Sequence, residues 1–163
     1  MTISLKHTGR RTGAVLVSLL LLLTLAVSAS AAAVKMTVGV RFWRESGDKE
    51  SMADRAVDTT REATLTRQPN GTFTLELPVK QLSSMNMTGR LTGIAIGEVN
   101  YDGTLSGDLS DGTAVLTLKN LPASVLTGSD SSKALAVTCS IKMDTILLGD
   151  ISTSAKMSIW VER

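Results

Sequence analysis

Period-two alternation runs through most of the chain beyond residue 33, and few folds accommodate it. Val34, Met36, Val38, Val40 and Phe42 alternate with Lys35, Thr37, Gly39 and Arg41. Successive side chains of a strand point to opposite faces, so this stretch predicts a strand with one buried and one wet face. The rule recurs over 72–80, with Phe73, Leu75, Leu77 and Val79 on one side, and over 113–119, with Ala114, Leu116 and Leu118. Residues 63–67 and 72–80 flank Gln68-Pro69-Asn70-Gly71, and Asn-Gly tolerates the positive φ of a tight hairpin turn. A loop over 81–88 carrying Met85 and Met87 leads into a Gly-punctuated strand over 90–101. Asp102-Gly103 and Asp111-Gly112 mark turns around a short strand at 104–109. Pro122 opens a turn or short helix, residues 127–132 form a polar, mobile loop, and the chain closes on a hairpin, 133–144 out and 153–162 back. Ser51 is placed to cap a short helical turn over 51–57. Seven or eight short strands, one helical turn and no long helix predict an all-β, immunoglobulin-like β-sandwich.

The first residues stand apart from this pattern. Lys6, Arg10 and Arg11 form a basic region ahead of an apolar run over 14–27, and small residues follow at Ala29-Ser30-Ala31 and Ala31-Ala32-Ala33. This is the layout of a secretory signal peptide, residues 1–31, with cleavage after 31 or 33; the apolar run is shorter than the roughly 18–20 residues that span a bilayer. Residues 34–163 then form a single domain, secreted or held at the cell surface, with no membrane anchor after cleavage. The whole chain has 17 basic and 15 acidic residues. Losing three leader cations leaves 14 against 15, a net charge of −1, and no electrostatic footprint for nucleic acid remains.

The same cut removes His7, the only histidine, and with it serine–histidine and cysteine–histidine catalysis and histidine metal sites. A non-enzymatic role follows. Cys139, the one cysteine, has no disulfide partner, and it shares parity with Leu135, Val137, Ile141 and Met143, which points it into the core. Acid pairs such as Asp108 and Asp111 flank turns and are read as turn formers. Among seven methionines, Met36, Met143 and Met157 have core parity, whereas Met52, Met85 and Met87 sit in or beside loops, where a large apolar side chain is exposed unless it lines a pocket. Leu147 and Leu148, in the connection of the last hairpin, likewise need cover.

A strand ending Val40-Arg41-Phe42-Trp43, a charged loop with Lys49 and Glu50, and a Ser51-Met52 helical turn precede the Asn-Gly hairpin. A Met-containing loop, a Gly-rich strand and a terminal hairpin follow. This order resembles the near-iron-transporter (NEAT) domains, immunoglobulin-like modules that capture haem at bacterial surfaces. The resemblance implies that Ser51 donates a hydrogen bond to a haem propionate and that Met52 contacts the ring from the lip. It also implies a tyrosine at the start of the last strand as iron ligand, since phenolate suits ferric iron. Here the corresponding positions fall near Ile151 and Ala155, which cannot ligate, and the only tyrosine, Tyr101, lies elsewhere. Met143 or Met157 would have to supply a thioether instead. The resulting expectation is capture of haem, or a related planar apolar ligand, for iron acquisition; the alternative is a degenerate NEAT or immunoglobulin-like module binding a protein or polysaccharide at the cell surface.

Overall fold

The computed structural model describes residues 32–84, 87–144 and 149–162. The leader, Met85, Leu147 and Leu148 lie outside them. Ten strands run antiparallel: β1 (Val34–Trp43), β2 (Ala63–Arg67), β3 (Phe73–Pro78), β4 (Leu82–Ser84), β5 (Met87–Ile96), β6 (Val99–Asp102), β7 (Thr104–Ser106), β8 (Val115–Leu121), β9 (Leu135–Met143) and β10 (Asp150–Val161). They follow one hydrogen-bonded path, β4-β5-β9-β10-β1-β2-β3-β8-β7, with β6 on β5.

Two strands fold this path into two layers. The first half of β1 pairs with β2, Val34 with Arg67 through Val38 with Ala63. Its second half pairs with β10, Val38 with Val161 through Trp43 with Lys156. On the opposite side, β6 pairs with β5 and β7 with β8, and only Gly103 separates them. Gly103 N–H bonds the Thr92 carbonyl at 2.7 Å. A Cβ at 103 would overlap Leu116 Cδ1 and lie 2.9 Å from that same carbonyl oxygen, so the crossing requires glycine. The inward residues of both layers form one apolar cluster that includes Phe42, Leu65, Leu75, Leu77, Leu116 and Ile159. Each such side chain contributes about 1.5–3 kcal/mol when fully buried.

The sandwich matches the predicted class, with differences in its parts. Strand segments number ten rather than seven or eight, because two stretches break where alternation is silent. Residues 81–88 are not simply a loop: β4 pairs Leu82 with Gly89, and Met87 opens β5. The stretch 90–101 is a hairpin, β5 turning at Gly97 (φ 59°) into β6, so Tyr101 lies beside Ile94. Among the described residues there are three 3₁₀ turns: Ala53–Ala56, Ala123–Val125 after Pro122 where the sequence predicts a turn or short helix, and Ser131–Lys133 within the stretch it predicts to be a loop. The polar stretch 127–132 is tied down, since the N–H groups of Thr127 and Gly128 both bond the Ile159 carbonyl.

Cys139 is 0% exposed, between Ile94 and Thr153 on the neighbouring strands. Burial pushes its thiol up to about 12, far from the thiolate needed for attack. Alkylation by a maleimide at neutral pH should therefore be negligible in the folded protein and complete in urea. Rapid native labelling would contradict the β9 register.

Candidate functional site

The segment after β1 is built as a clamped lip. Residues 44–49 reverse the chain through Gly47 (φ 77°), whose N–H bonds the Arg44 carbonyl at 2.7 Å. Glu50 then bridges back to Trp43, and Ser51 N–H bonds the Phe42 carbonyl at 2.8 Å. The Ala53–Ala56 turn follows, with Ala53 and Ala56 fully buried against the core and the turn in contact with β1 and β5. Its far end is pinned by Lys80 N–H to the Ala56 carbonyl and by the Val57–Val79 bridge.

Asp54 holds the lip to the strand. The residue is 5% exposed; Oδ1 accepts the Phe42 N–H at 2.8 Å, and Oδ2 accepts Arg41 Nη1 at 3.0 Å. Arg41 Nη1 also donates to Glu50 Oε1 at 2.7 Å, so one guanidinium joins the loop and the turn. Bonds to charged groups contribute about 1.5–3 kcal/mol, and here they also satisfy a backbone donor that β2 has left behind at Val38.

Ser51 is 4% exposed, and its Oγ accepts the Asp54 N–H at 3.3 Å, the capping role open to it from sequence. Among the described residues its own hydroxyl proton finds no acceptor. Met52 is 50% exposed on the outer side of the turn. Arg55, three residues on, is exposed too, and positions i and i+3 eclipse in a 3₁₀ turn, so an apolar and a cationic side chain share the lip's outer face. Neither Asp54 nor Arg55 figured among the sequence candidates. The signal for Asp54 was present: Ser51-Met52-Ala53-Asp54 has capping-box spacing, although the carboxylate reaches back to Phe42 rather than to Ser51.

A second apolar surface comes from β5, β9 and β10. Leu91, Ile141 and Ile151 are register partners across these strands. The first two are buried and Ile151 is 37% exposed, so the apolar row runs from the core out to solvent. Gly89 pairs with Met143, whose Sδ would stand 2.9 Å from a Cβ at 89, and Met143 is half-buried against the core. Met157 is fully buried between Phe42 and Leu135 and is not available as a ligand. Ala155 is buried, and Tyr101 packs against the core at Ile94. Among the described residues no cluster of histidine, cysteine or carboxylate side chains could hold a metal ion. Asp108 and Asp111 cap their own turns through Ser110 and Thr113, as read from sequence.

An antiparallel sandwich closed by a seam strand, with a short clamped turn at one end and a terminal hairpin, is an immunoglobulin-like architecture. No family model and no curated protein matches the chain. Among solved structures it is similar to the NEAT5 domain of IsdX2, a B. anthracis hemophore, in complex with heme, with TM-score 0.50 and 10% identity over 80% of this chain and 98% of that one. A mutant of the same domain, also in complex with heme, matches equally. The chain has a NEAT-like fold. At 10% identity the likeness is one of architecture, and function has to be argued from the site.

Proposed function

We propose that this protein is an exported, non-enzymatic domain that captures haem, or a related planar apolar ligand, between the Ser51–Ala56 lip and the β9–β10 hairpin. The observation that carries this reading is the pairing of a rigidly clamped lip with exposed apolar side chains, Met52 on the lip and Ile151 on the hairpin, in a fold whose solved neighbours hold haem. Exposed large apolar groups are characteristic of ligand surfaces. Ser51 supplies a hydroxyl proton free to donate to a propionate, Met52 covers one ring face, and Arg55 adds a positive charge beside them. Without a tyrosine on β10, apolar contact supplies most of the affinity, and a thioether such as that of Met143 or a water completes the iron. The leader at 1–31 delivers the domain outside the cell.

The test is a visible absorption spectrum of the purified mature domain, before and after adding hemin. A saturable, red-shifted Soret band is expected. If the spectrum stays that of free hemin, the ligand assignment fails and the module is one for a protein or polysaccharide partner.

A further inference from the structure

A cleft opens where β1 leaves β2. Beyond Val38 the strand continues alone on that side, while residues 57–62 diverge from it and bond the end of β3, Asp58 N–H to the Pro78 carbonyl at 3.0 Å. The wedge between them encloses about 250 Å³ and is lined by Val40, Asp58, Glu62, Leu77, Trp160 and Glu162 among others. Drug-sized and cofactor ligands occupy pockets of about 300–1,000 Å³, so this cleft takes one small unit and not a haem.

Its chemistry is specific. Trp160 is the register partner of Gly39, and a Cβ at 39 would overlap indole Cε2 and Cζ2. Glycine therefore lets the indole lie over β1 and reach the cleft on its other side. Indole N–H groups normally find a partner when buried. Trp43 Nε1 donates to Ser158 Oγ at 3.0 Å, but among the described residues the N–H of half-buried Trp160 has no acceptor. The cations of the cleft are committed: Arg41 to Glu50 and Asp54, and Arg61 to the carbonyls of Gly112, Thr113 and Ala114. Asp58 is held by the Thr60 N–H and hydroxyl. The exposed carboxylates of Glu62 and Glu162 carry no such bonds among the described residues. What remains is an aromatic surface with one free N–H donor and two free carboxylate acceptors.

We infer that this cleft binds a single hexopyranose unit of a neutral or amino sugar. A pyranose presents an apolar C–H face to the indole, and its hydroxyl groups both accept from Nε1–H and donate to carboxylates. An ammonium ion could not accept, and an anionic sugar would meet three carboxylates, Asp58, Glu62 and Glu162, against the one guanidinium, Arg61, that no carboxylate pairs. The cleft shares Arg41 and Val57 with the lip's clamp but no residue of Ser51–Ala56, and sugar binding is measured without haem, so it stands or falls independently of haem capture.

The experiment is a titration of the mature domain with glucose, galactose, mannose, N-acetylglucosamine, glucosamine and galacturonate, followed through the two indole N–H resonances. Saturable movement of the Trp160 resonance with at least one neutral or amino sugar is expected, with Trp43 unmoved as internal control. Measured by isothermal titration calorimetry, Trp160→Phe, which keeps a ring over Gly39, and Glu62→Gln should each weaken binding by about tenfold. If no neutral or amino sugar moves Trp160, if galacturonate moves it equally, or if folded Trp160→Phe and Glu62→Gln both bind as tightly as the parent, the assignment is overturned.

Discussion

Replacing Asp54 by alanine is expected to lower the unfolding free energy by about 2–4 kcal/mol, because a buried backbone donor and a cation both lose their partner. The substitution leaves the buried Phe42 N–H without its acceptor and Arg41 with only the exposed Glu50. Asp54→Asn should cost less, since its amide oxygen still accepts from Phe42 while its NH₂ group faces Arg41. Urea denaturation followed by tryptophan fluorescence measures both variants. The alanine midpoint should fall well below the asparagine midpoint, with the slope unchanged. Hemin uptake should fall with the alanine variant even at low urea, because a lip that is no longer fixed orders only at the expense of binding. A loss below about 0.5 kcal/mol, the scale of an ordinary surface change, would mean that Asp54 does not hold the lip. Arg41→Ala in a double-mutant cycle with Asp54→Ala then apportions the network: strong coupling is expected for groups sharing a 3.0 Å ion pair.

Why that network was invisible in the sequence is instructive beside what was visible. Alternation placed the inward faces of β1, β3, β8, β9 and β10 because the strand period is fixed at two and one face of each is buried; Leu75, Leu77, Leu116, Leu118, Cys139 and Ile141 all lie in the core. Asn70-Gly71 placed the β2–β3 turn, with Gly71 at φ 84°. Alternation says nothing about partners. It could not show that β1 changes neighbours at Val38, nor that β6 and β7 are one path bent at Gly103, because those depend on which edges meet. It failed over 90–101, where Gly93, Ala95 and Gly97 are too small to mark a face. At the lip, the serine and methionine were legible from their neighbours in sequence. The carboxylate bonds to Phe42 and Arg41 were not, since they join residues 12 and 13 apart across a reversal of the chain.

Introducing a phenolate should have the largest effect on the proposed ligand. Ile151 lies at the outer end of the Leu91–Ile141–Ile151 row and is 37% exposed, so a ring at this position extends toward solvent without displacing core. Ile151→Tyr is expected to tighten hemin binding by about a hundredfold or more, since ferric iron prefers an anionic oxygen to a neutral thioether or water. Phenolate-to-iron charge transfer should appear in the visible spectrum of the variant alone. Ala155→Tyr is the contrasting case: position 155 is 3% exposed, and a ring there overpacks the core at a cost of about 1–3 kcal/mol in stability, with no gain in affinity. Ser51→Ala should weaken the parent by about tenfold through loss of one charge-assisted bond, and its effect should persist in the Ile151→Tyr background because the propionate and the iron are separate contacts. Met52→Ala tests the ring contact from the lip in both backgrounds. If Ile151→Tyr folds, leaves the spectrum of added hemin unchanged and gains no affinity, then the end of β10 does not face the ligand, and the lip and hairpin do not form one site.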